Sequence, residues 1–290
     1  MTVLTTLRQP TLKNLHTLRF SGQGNYRLEV SFQLFQQTPA LETLVVTNLV
    51  STHMPIYGTP LKVLVLKGPN VVAVPLPTTL ERFTWEPTNT IFSHITFGHV
   101  MNSHLPSLTH LSLSNVERVS AKWLSSILDS GVDEDEHDNQ DIPEYVFTEN
   151  AVPLQHLSIK GTLDPYTTSL FRRPDPASDQ PESLFTGSAR ILTPALKHLA
   201  IADLPCDDDE IEHLVSYNLR LEYIDLTASN ITGASIKMLA DGIPTLKHIR
   251  ADYASRINGR DGIEYAERKG IKVSCSLGKK QFGKKIRYLY

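Results

Sequence analysis

Two cysteines, Cys206 and Cys275, in 290 residues are too few for a disulfide framework or a thiolate zinc site. No run of about 18 apolar residues occurs, and the start, Met1 to Arg8, has no apolar stretch of signal-peptide length. An excess of one charge is missing as well. The 28 lysines and arginines nearly balance 31 aspartates and glutamates, for a formal charge of −3, which removes the electrostatic footprint of a dedicated nucleic-acid binder. Gly22-Gln-Gly24 lacks the rest of a nucleotide fingerprint and opens no clear helix. What is left, 40% apolar and 20% charged, is the composition of a chain that buries a core. The expectation is a cytoplasmic or nuclear protein with no cofactor, no nucleic-acid partner and no membrane partner.

A short phrase, L-x-x-L-x-L with conservative swaps, organises the chain. Its copies are Leu15-Leu18-Phe20, Leu41-Leu44-Val46, Leu61-Leu64-Leu66, Leu80-Phe83-Trp85 and Leu108-Leu111-Leu113. They continue as Leu154-Leu157-Ile159, Leu196-Leu199-Ile201, Leu221-Ile224-Leu226 and Leu246-Ile249-Ala251, with Ile271 to Val273 as a terminal strand. Most copies are preceded by proline, as in Pro39-Ala40-Leu41, Pro106-Ser107-Leu108 and Pro244-Thr245-Leu246. The first leucines stand 26, 20, 19, 28, 46, 42, 25 and 25 residues apart, and six of these intervals lie near the period of leucine-rich repeats. Within each phrase the last two apolar residues alternate with others, the mark of a strand with one buried face.

Helical spacing fills several intervals. Ser120 to Ser130 carries Trp123, Leu124, Ile127 and Leu128, and Asp207 to Tyr217 opens with aspartates favourable at a helix N-terminus. Thr232 to Asp241 begins with a threonine cap, and Gly259 to Lys269 precedes the last strand. Strand, helix, strand at this period forces parallel strands. The expected fold is therefore α/β: a leucine-rich-repeat solenoid, or horseshoe. A curved parallel β-sheet lines its concave face, and helices or extended segments such as Gly68 to Thr79 form the convex face. The whole chain, 1–290, reads as one such domain, with nine or ten irregular repeats over 12–276. Two insertions, 131–147 with the acidic run Gly131 to Asp141, and the proline-rich 162–187, read as surface loops unable to bury enough apolar area to order themselves. Residues 277–290 form a basic tail with Lys279, Lys280, Lys284, Lys285 and Arg287, read as a solvated end.

The stretch Leu221-Glu-Tyr-Ile-Asp-Leu-Thr-Ala-Ser-Asn-Ile-Thr-Gly-Ala-Ser-Ile-Lys-Met-Leu-Ala240 resembles the L-x-x-L-x-L…I-T-x-x-G-L-x-x-L-A pattern of F-box-type leucine-rich repeats. It departs at Ser235, where glycine is usual, and at Ser229, where cysteine or asparagine is usual. With Pro194 to Leu199 and the irregular middle repeats, the chain is similar to fungal F-box/leucine-rich-repeat proteins over roughly residues 12 to 276. That resemblance implies repeats that capture a protein substrate for an SCF-type ubiquitin ligase, in ubiquitin-dependent degradation. It implies as well a separate N-terminal F-box of helix that docks on the Skp adaptor. No segment opening with L-P-x-E/D precedes Leu12, so the Skp adaptor and cullin are expected partners only if an F-box lies upstream. The alternative is a repeat scaffold that binds a protein without any ubiquitin role.

In a horseshoe the side chains between the buried leucines face the hollow. These are Thr17, Arg19 and Ser21; Thr43, Val45 and Thr47; Val63, Val65 and Lys67; then His110, Ser112 and Ser114; His156, Ser158 and Lys160; His198, Ala200 and Ala202; Tyr223, Asp225 and Thr227; His248, Arg250 and Asp252. The candidate partner-binding residues are Tyr223, Asp225, His248, Arg250 and Asp252, a mixture suited to a polar protein surface, with His198, His156 and His110 beside them. Val45, Val63 and Val65 form a candidate apolar patch at the other end. The histidines share one position across strands and make a line, whereas zinc wants tetrahedral convergence, so no metal site is assigned. They are also groups that titrate near pH 6.5 and can make binding pH-sensitive. No catalytic residue is assigned: His110 with Ser112, and His156 with Ser158, lack an acid to orient the imidazole.

Overall fold

The computed structural model describes residues 10–22, 32–48, 56, 58–68, 76–87, 105–114, 154–161, 169–172, 185, 195–217 and 219–276. Each apolar phrase becomes a strand. In chain order these are β1 (Thr17–Ser21), β2 (Thr43–Thr47), β3 (Val63–Gly68), β4 (Arg82–Pro87) and β5 (His110–Ser114). There follow β6 (His156–Lys160), β7 (His198–Ala202), β8 (Tyr223–Asp225), β9 (His248–Arg250) and β10 (Lys272–Ser274). They pair in sequence, β1 to β10, and every neighbouring pair is parallel. The fold is α/β with an open, ten-stranded, all-parallel sheet.

Register follows the leucines. Leu44, Leu64, Phe83, Leu111, Leu157, Leu199, Ile224 and Ile249 stand side by side, and all are buried. A second row runs Val46, Leu66, Trp85, Leu113, Ile159 and Ile201. Because side chains alternate along a strand, a slip of one residue would expose both rows, and burial at about 1.5–3 kcal/mol per large apolar side chain opposes it. Leu18 and Phe20 of β1 extend the rows but are only partly buried.

The prolines before the leucines have a clear local role. In Thr38-Pro39-Ala40-Leu41, Leu105-Pro106-Ser107-Leu108 and Ile243-Pro244-Thr245-Leu246 the leucine amide donates to the carbonyl three residues earlier, at 3.0–3.1 Å. Proline sits at the second position of each turn, where its fixed φ is pre-set for the bend. Every strand from β2 to β9 then begins with a doubled hydrogen bond, in which two successive amides share the carbonyl of the residue just before the previous strand. Glu42 and Thr43 share His16 O, and Gln155 and His156 share Thr109 O.

Four α-helices occur among the described residues: α1 (Phe32–Gln37), α2 (Asp208–Val215), α3 (Gly233–Gly242) and α4 (Asp261–Arg268). Three of them lie where helical spacing is read from the sequence; α1 is too short to show a period. Asp207 caps α2 by accepting from the Glu210 amide at 3.1 Å, and Thr232 caps α3 through the Ala234 amide at 3.1 Å. The helices pack through small residues. A Cβ added to Gly262 would lie 2.4 Å from the Gly233 carbonyl oxygen, and one added to Gly242 would lie 1.9 Å from Cγ1 of Val215. Asp208 ties α2 to α3, its carboxylate accepting from the Thr232 amide (2.9 Å), the Thr232 hydroxyl (2.8 Å) and the Ser235 hydroxyl. Ser235 and Ser229, the two departures from the resembled pattern, are both buried and hydrogen-bonded, Ser229 donating to Leu226 O at 2.7 Å.

The 162–187 insertion corrects an expectation. Leu170, Phe171 and Phe185 are fully buried, and the two phenylalanine rings stack with centroids 5.0 Å apart. Buried Glu210 of α2 accepts from the Ser169 hydroxyl and from the Phe171 amide at 2.7 Å, and Tyr217 donates to Phe171 O at 3.1 Å. This part of the insertion is a core element and not a loose excursion. The helix expected at Ser120 to Ser130, the 131–147 insertion, residues 69–75 of the expected extended segment, and the tail 277–290 lie outside the described residues. No helix among the described residues is long and apolar enough to cross a membrane.

Candidate functional site

One face of the sheet carries the core and the other carries the candidate residues. The register assembles them into rows that run across the strands. The first row is Thr17, Thr43, Val63, Arg82, His110, His156, His198, Tyr223, His248 and Lys272. Beside it run Thr84, Ser112, Ser158, Ala200, Asp225 and Arg250, mostly small at the centre and charged at the C-terminal end.

Each ring-bearing residue follows the doubled hydrogen bond, so its backbone is fixed to the previous strand. The His110, His156, His198, Tyr223 and His248 amides reach Glu81, Thr109, Gln155, Lys197 and Glu222 carbonyls at 3.0–3.1 Å. The rings consequently stack. Centroids of His110 and His156 are 5.6 Å apart, those of His156 and His198 5.5 Å, and those of His198 and Tyr223 5.5 Å. Tyr223 meets His248 edge to face at 5.2 Å. The spacing is close to the interstrand distance of about 4.8 Å, opened slightly by ring thickness and tilt.

Hydrogen bonds orient both ends of this column. The Thr109 hydroxyl lies 3.0 Å from Glu81 O and 2.8 Å from Nδ1 of His110, and so fixes the ring's orientation. His248 places Nε2 2.9 Å from the Ser274 hydroxyl. Burial holds the His110 imidazole below its ordinary pKa, helped by Arg82 and His198. Burial does the same to His156, with His198, His110 and Arg82 adding repulsion, and to His248 together with Lys272. Removing a ring from water and lining it with like charges both disfavour the imidazolium.

The C-terminal end is a charged knot. Arg250 donates from Nε to Asp252 at 2.8 Å and reaches Asp225 at 3.5 Å, while Ser276 donates to Asp252 through its amide (3.0 Å) and hydroxyl (2.8 Å). Arg250 and Ser276 hold the Asp252 carboxyl below its usual range. Burial, followed by the nearby Asp225 charge, pushes the Tyr223 phenol up. Asp225 departs from the expectation of an exposed contact. It is 9% exposed, and its Oδ1 accepts from the Thr227 amide at 3.0 Å and hydroxyl at 2.5 Å. It braces the start of the turn and positions Arg250, which is exposed.

Val45, Val63 and Val65, expected as an apolar patch, are half-buried in the sheet face. Arg82, Thr84 and Glu86, which flank Phe83 and Trp85, complete the rows and were passed over in the sequence; the rule that finds the other strands finds them too. Glu86 binds Lys67 at 2.9 Å, and Lys160 binds Asp203 at 3.4 Å. Burial raises the pKa of the Cys206 and Cys275 thiols, so neither is a ready thiolate. Among the described residues no three histidine, cysteine or carboxylate side chains converge to hold a metal ion. A cleft of about 300 Å³ lies elsewhere, at the C-terminal end of α3 beside Ile271, and includes the Asp241–Lys269 ion pair. No model of a known protein family matches the chain, and no curated protein matches it either.

Proposed function

We propose that the chain is a leucine-rich-repeat recognition module. In this reading the row-lined face is the concave side of a curved solenoid, and it serves as the substrate-binding part of an F-box-type ubiquitin ligase adaptor. One observation carries recognition: in a single register, one sheet face is uniformly apolar while the other holds unlike ring, charged and small side chains on a hydrogen-bonded backbone. A scaffold fixed in advance loses little conformational entropy when a partner docks. Curvature is supported by dimensions, because helices pack about 8–10 Å apart and strands about 4.8 Å apart, so the helix side is the wider one. The ubiquitin role rests on the resemblance of Leu221 to Ala240.

The test is a pull-down from a fungal extract with the 290-residue chain and with a variant carrying Tyr223→Ala, Arg250→Ala and Asp252→Ala. The expected result is one protein captured by the first and lost from the second; the Skp adaptor is expected with both only when the bait also carries an F-box upstream of Met1. Capture without the adaptor, together with no in-frame F-box upstream of Met1 in the gene, moves the reading to a scaffold. An identical profile for both chains overturns the C-terminal cluster as the recognition site.

A further inference from the structure

The three central strands of the row-lined face differ from those on either side. Their residues on that face are His110, Ser112, Ser114, His156, Ser158, Lys160, His198, Ala200 and Ala202. None is a carboxylate, and three are imidazoles in ring contact. We propose that the His110–His156–His198 column is a proton-dependent docking strip for an acidic, extended segment of a partner protein. The proposal rests on the reading of this face as a recognition surface and names how that surface is regulated.

Counter-charge decides the chemistry of the occupant. Most described carboxylates bordering the column already have a partner, and Glu81, exposed just before β4, acts on Lys62. Asp203 binds Lys160, Glu86 binds Lys67, and Glu222 binds Lys247 at 2.5 Å and Lys197 at 3.9 Å. Asp225 is held by Thr227 and Arg250, and Asp252 by Arg250 and Ser276. Cations stand on both sides of the column within the row, Arg82 on β4 next to His110 and Lys272 on β10, with His248 and Tyr223 between Lys272 and the column. A proton taken up by the column therefore adds charge to three strands whose open face carries no carboxylate of its own. Burial and mutual repulsion keep His110 and His156 uncharged at neutral pH. A partner's carboxylates remove both obstacles at once, since they supply the missing charge and favour the imidazolium.

Geometry fits an extended peptide. The rings repeat every 5.5–5.6 Å, and alternate side chains of an extended chain repeat at about 6.6 Å, within the reach of glutamate. Ser112, Ser158 and Ala200 alongside leave room for its backbone. A nucleic acid fits less well, because phosphate tracking draws on permanent lysine and arginine charge, and the one lysine on the face of these three strands, Lys160, is already paired with Asp203.

The experiment is fluorescence anisotropy with a labelled peptide of alternating glutamate and serine. It uses the full chain at about pH 7.5 and about pH 5.5, with circular dichroism confirming the fold at both. Affinity should rise about tenfold or more on acidification, as expected when binding and proton uptake are linked at several groups. A variant carrying His110→Gln, His156→Gln and His198→Gln should lose that rise, and a glutamine-serine peptide should not bind. A form of the chain with Asp133, Glu134, Asp135, Glu136 and Asp138 changed to amides is run in parallel, so that internal competition cannot hide binding. No uptake by either form, an equal pH response in the triple variant, or tighter binding of a single-stranded oligonucleotide overturns the proposal. The recognition reading is judged apart from it, by the alanine variant in the pull-down, which leaves these three histidines in place.

Discussion

The two faces of the sheet are built on the same ten strands and obey opposite rules. Toward the core the two leading rows are apolar, and from β2 to β7 they change only among leucine, isoleucine, valine, phenylalanine and tryptophan. Toward the other side a single row passes from threonine and valine through arginine and histidine to tyrosine and lysine. Close packing constrains volume and polarity on the first face, whereas the second has to satisfy only the strand backbone. The contrast predicts a large asymmetry between neighbours one residue apart. Leu157→Ala should cost about 2–5 kcal/mol, while His156→Gln should change stability by no more than about 1 kcal/mol. Urea midpoints of the two variants check this, and equal losses would end the division of labour between the faces.

A polar group inside the helix layer comes next in size. Asp208 is surrounded by donors from α3, and burial, which opposes its charge, is outweighed by the Ser235 and Thr232 hydroxyls and amides. Asp208→Ala leaves those donors without their acceptor, and a loss of about 1–3 kcal/mol is expected in chemical denaturation. The core rows are apolar, so this tests whether a hydrogen-bonded carboxylate between α2 and α3 holds as much as a leucine does.

Acidification separates the faces by pH. His110, His156 and His248 have folded pKa values below their ordinary ones, so near and below pH 6.5 the unfolded chain binds more protons than the folded one. Stability should fall as pH drops through about 6.5 toward the folded values and level off beneath them. Asp208 and Asp252 act lower down. Their depressed pKa values contribute stability above about pH 4 that is lost as pH falls through the folded values. Urea midpoints taken from neutral pH downward should show the first decline in the native chain and a flatter course in the triple glutamine variant. An unaltered decline in that variant assigns it to other groups.

The core rows, the proline turns and helices α2 to α4 were legible because each rests on local periodicity or on one capping residue. The ring column was legible as a shared position, since one leucine register places His110, His156 and His198 alike. What escaped is non-local. Glu210 meets Ser169 across 41 residues of sequence, so nothing near Phe171 or Phe185 marks those two residues as core. Asp225 alternates correctly toward the open face, yet Thr227 and Arg250 close over it, which only the next strand could reveal.

The smallest effect concerns the turn that ends each strand. Asn48, Gly68, Gly161, Asp203, Ala228 and Tyr253 occupy one repeat position, two residues past Val46, Leu66, Ile159, Ile201, Leu226 and Ala251, and all have positive φ. Glycine, asparagine and aspartate tolerate φ near +60° cheaply, whereas alanine and tyrosine pay about 1 kcal/mol in crowding of Cβ. Ala228→Gly and Tyr253→Asn should each therefore raise stability by about 0.5–1 kcal/mol, seen as a higher urea midpoint. The two differ in what else they change. Ala228, with φ 61°, presents a methyl group, but Tyr253, with φ 59°, is 75% exposed and adjoins Asp252 and its bond to Arg250. A strained backbone carrying a solvent-facing aromatic beside the charged knot gains nothing within the fold. If that ring serves recognition, Tyr253→Asn should weaken capture of the partner while the midpoint rises, and Ala228→Gly should raise the midpoint with capture intact. Undiminished capture by both variants would confine recognition to the strands themselves.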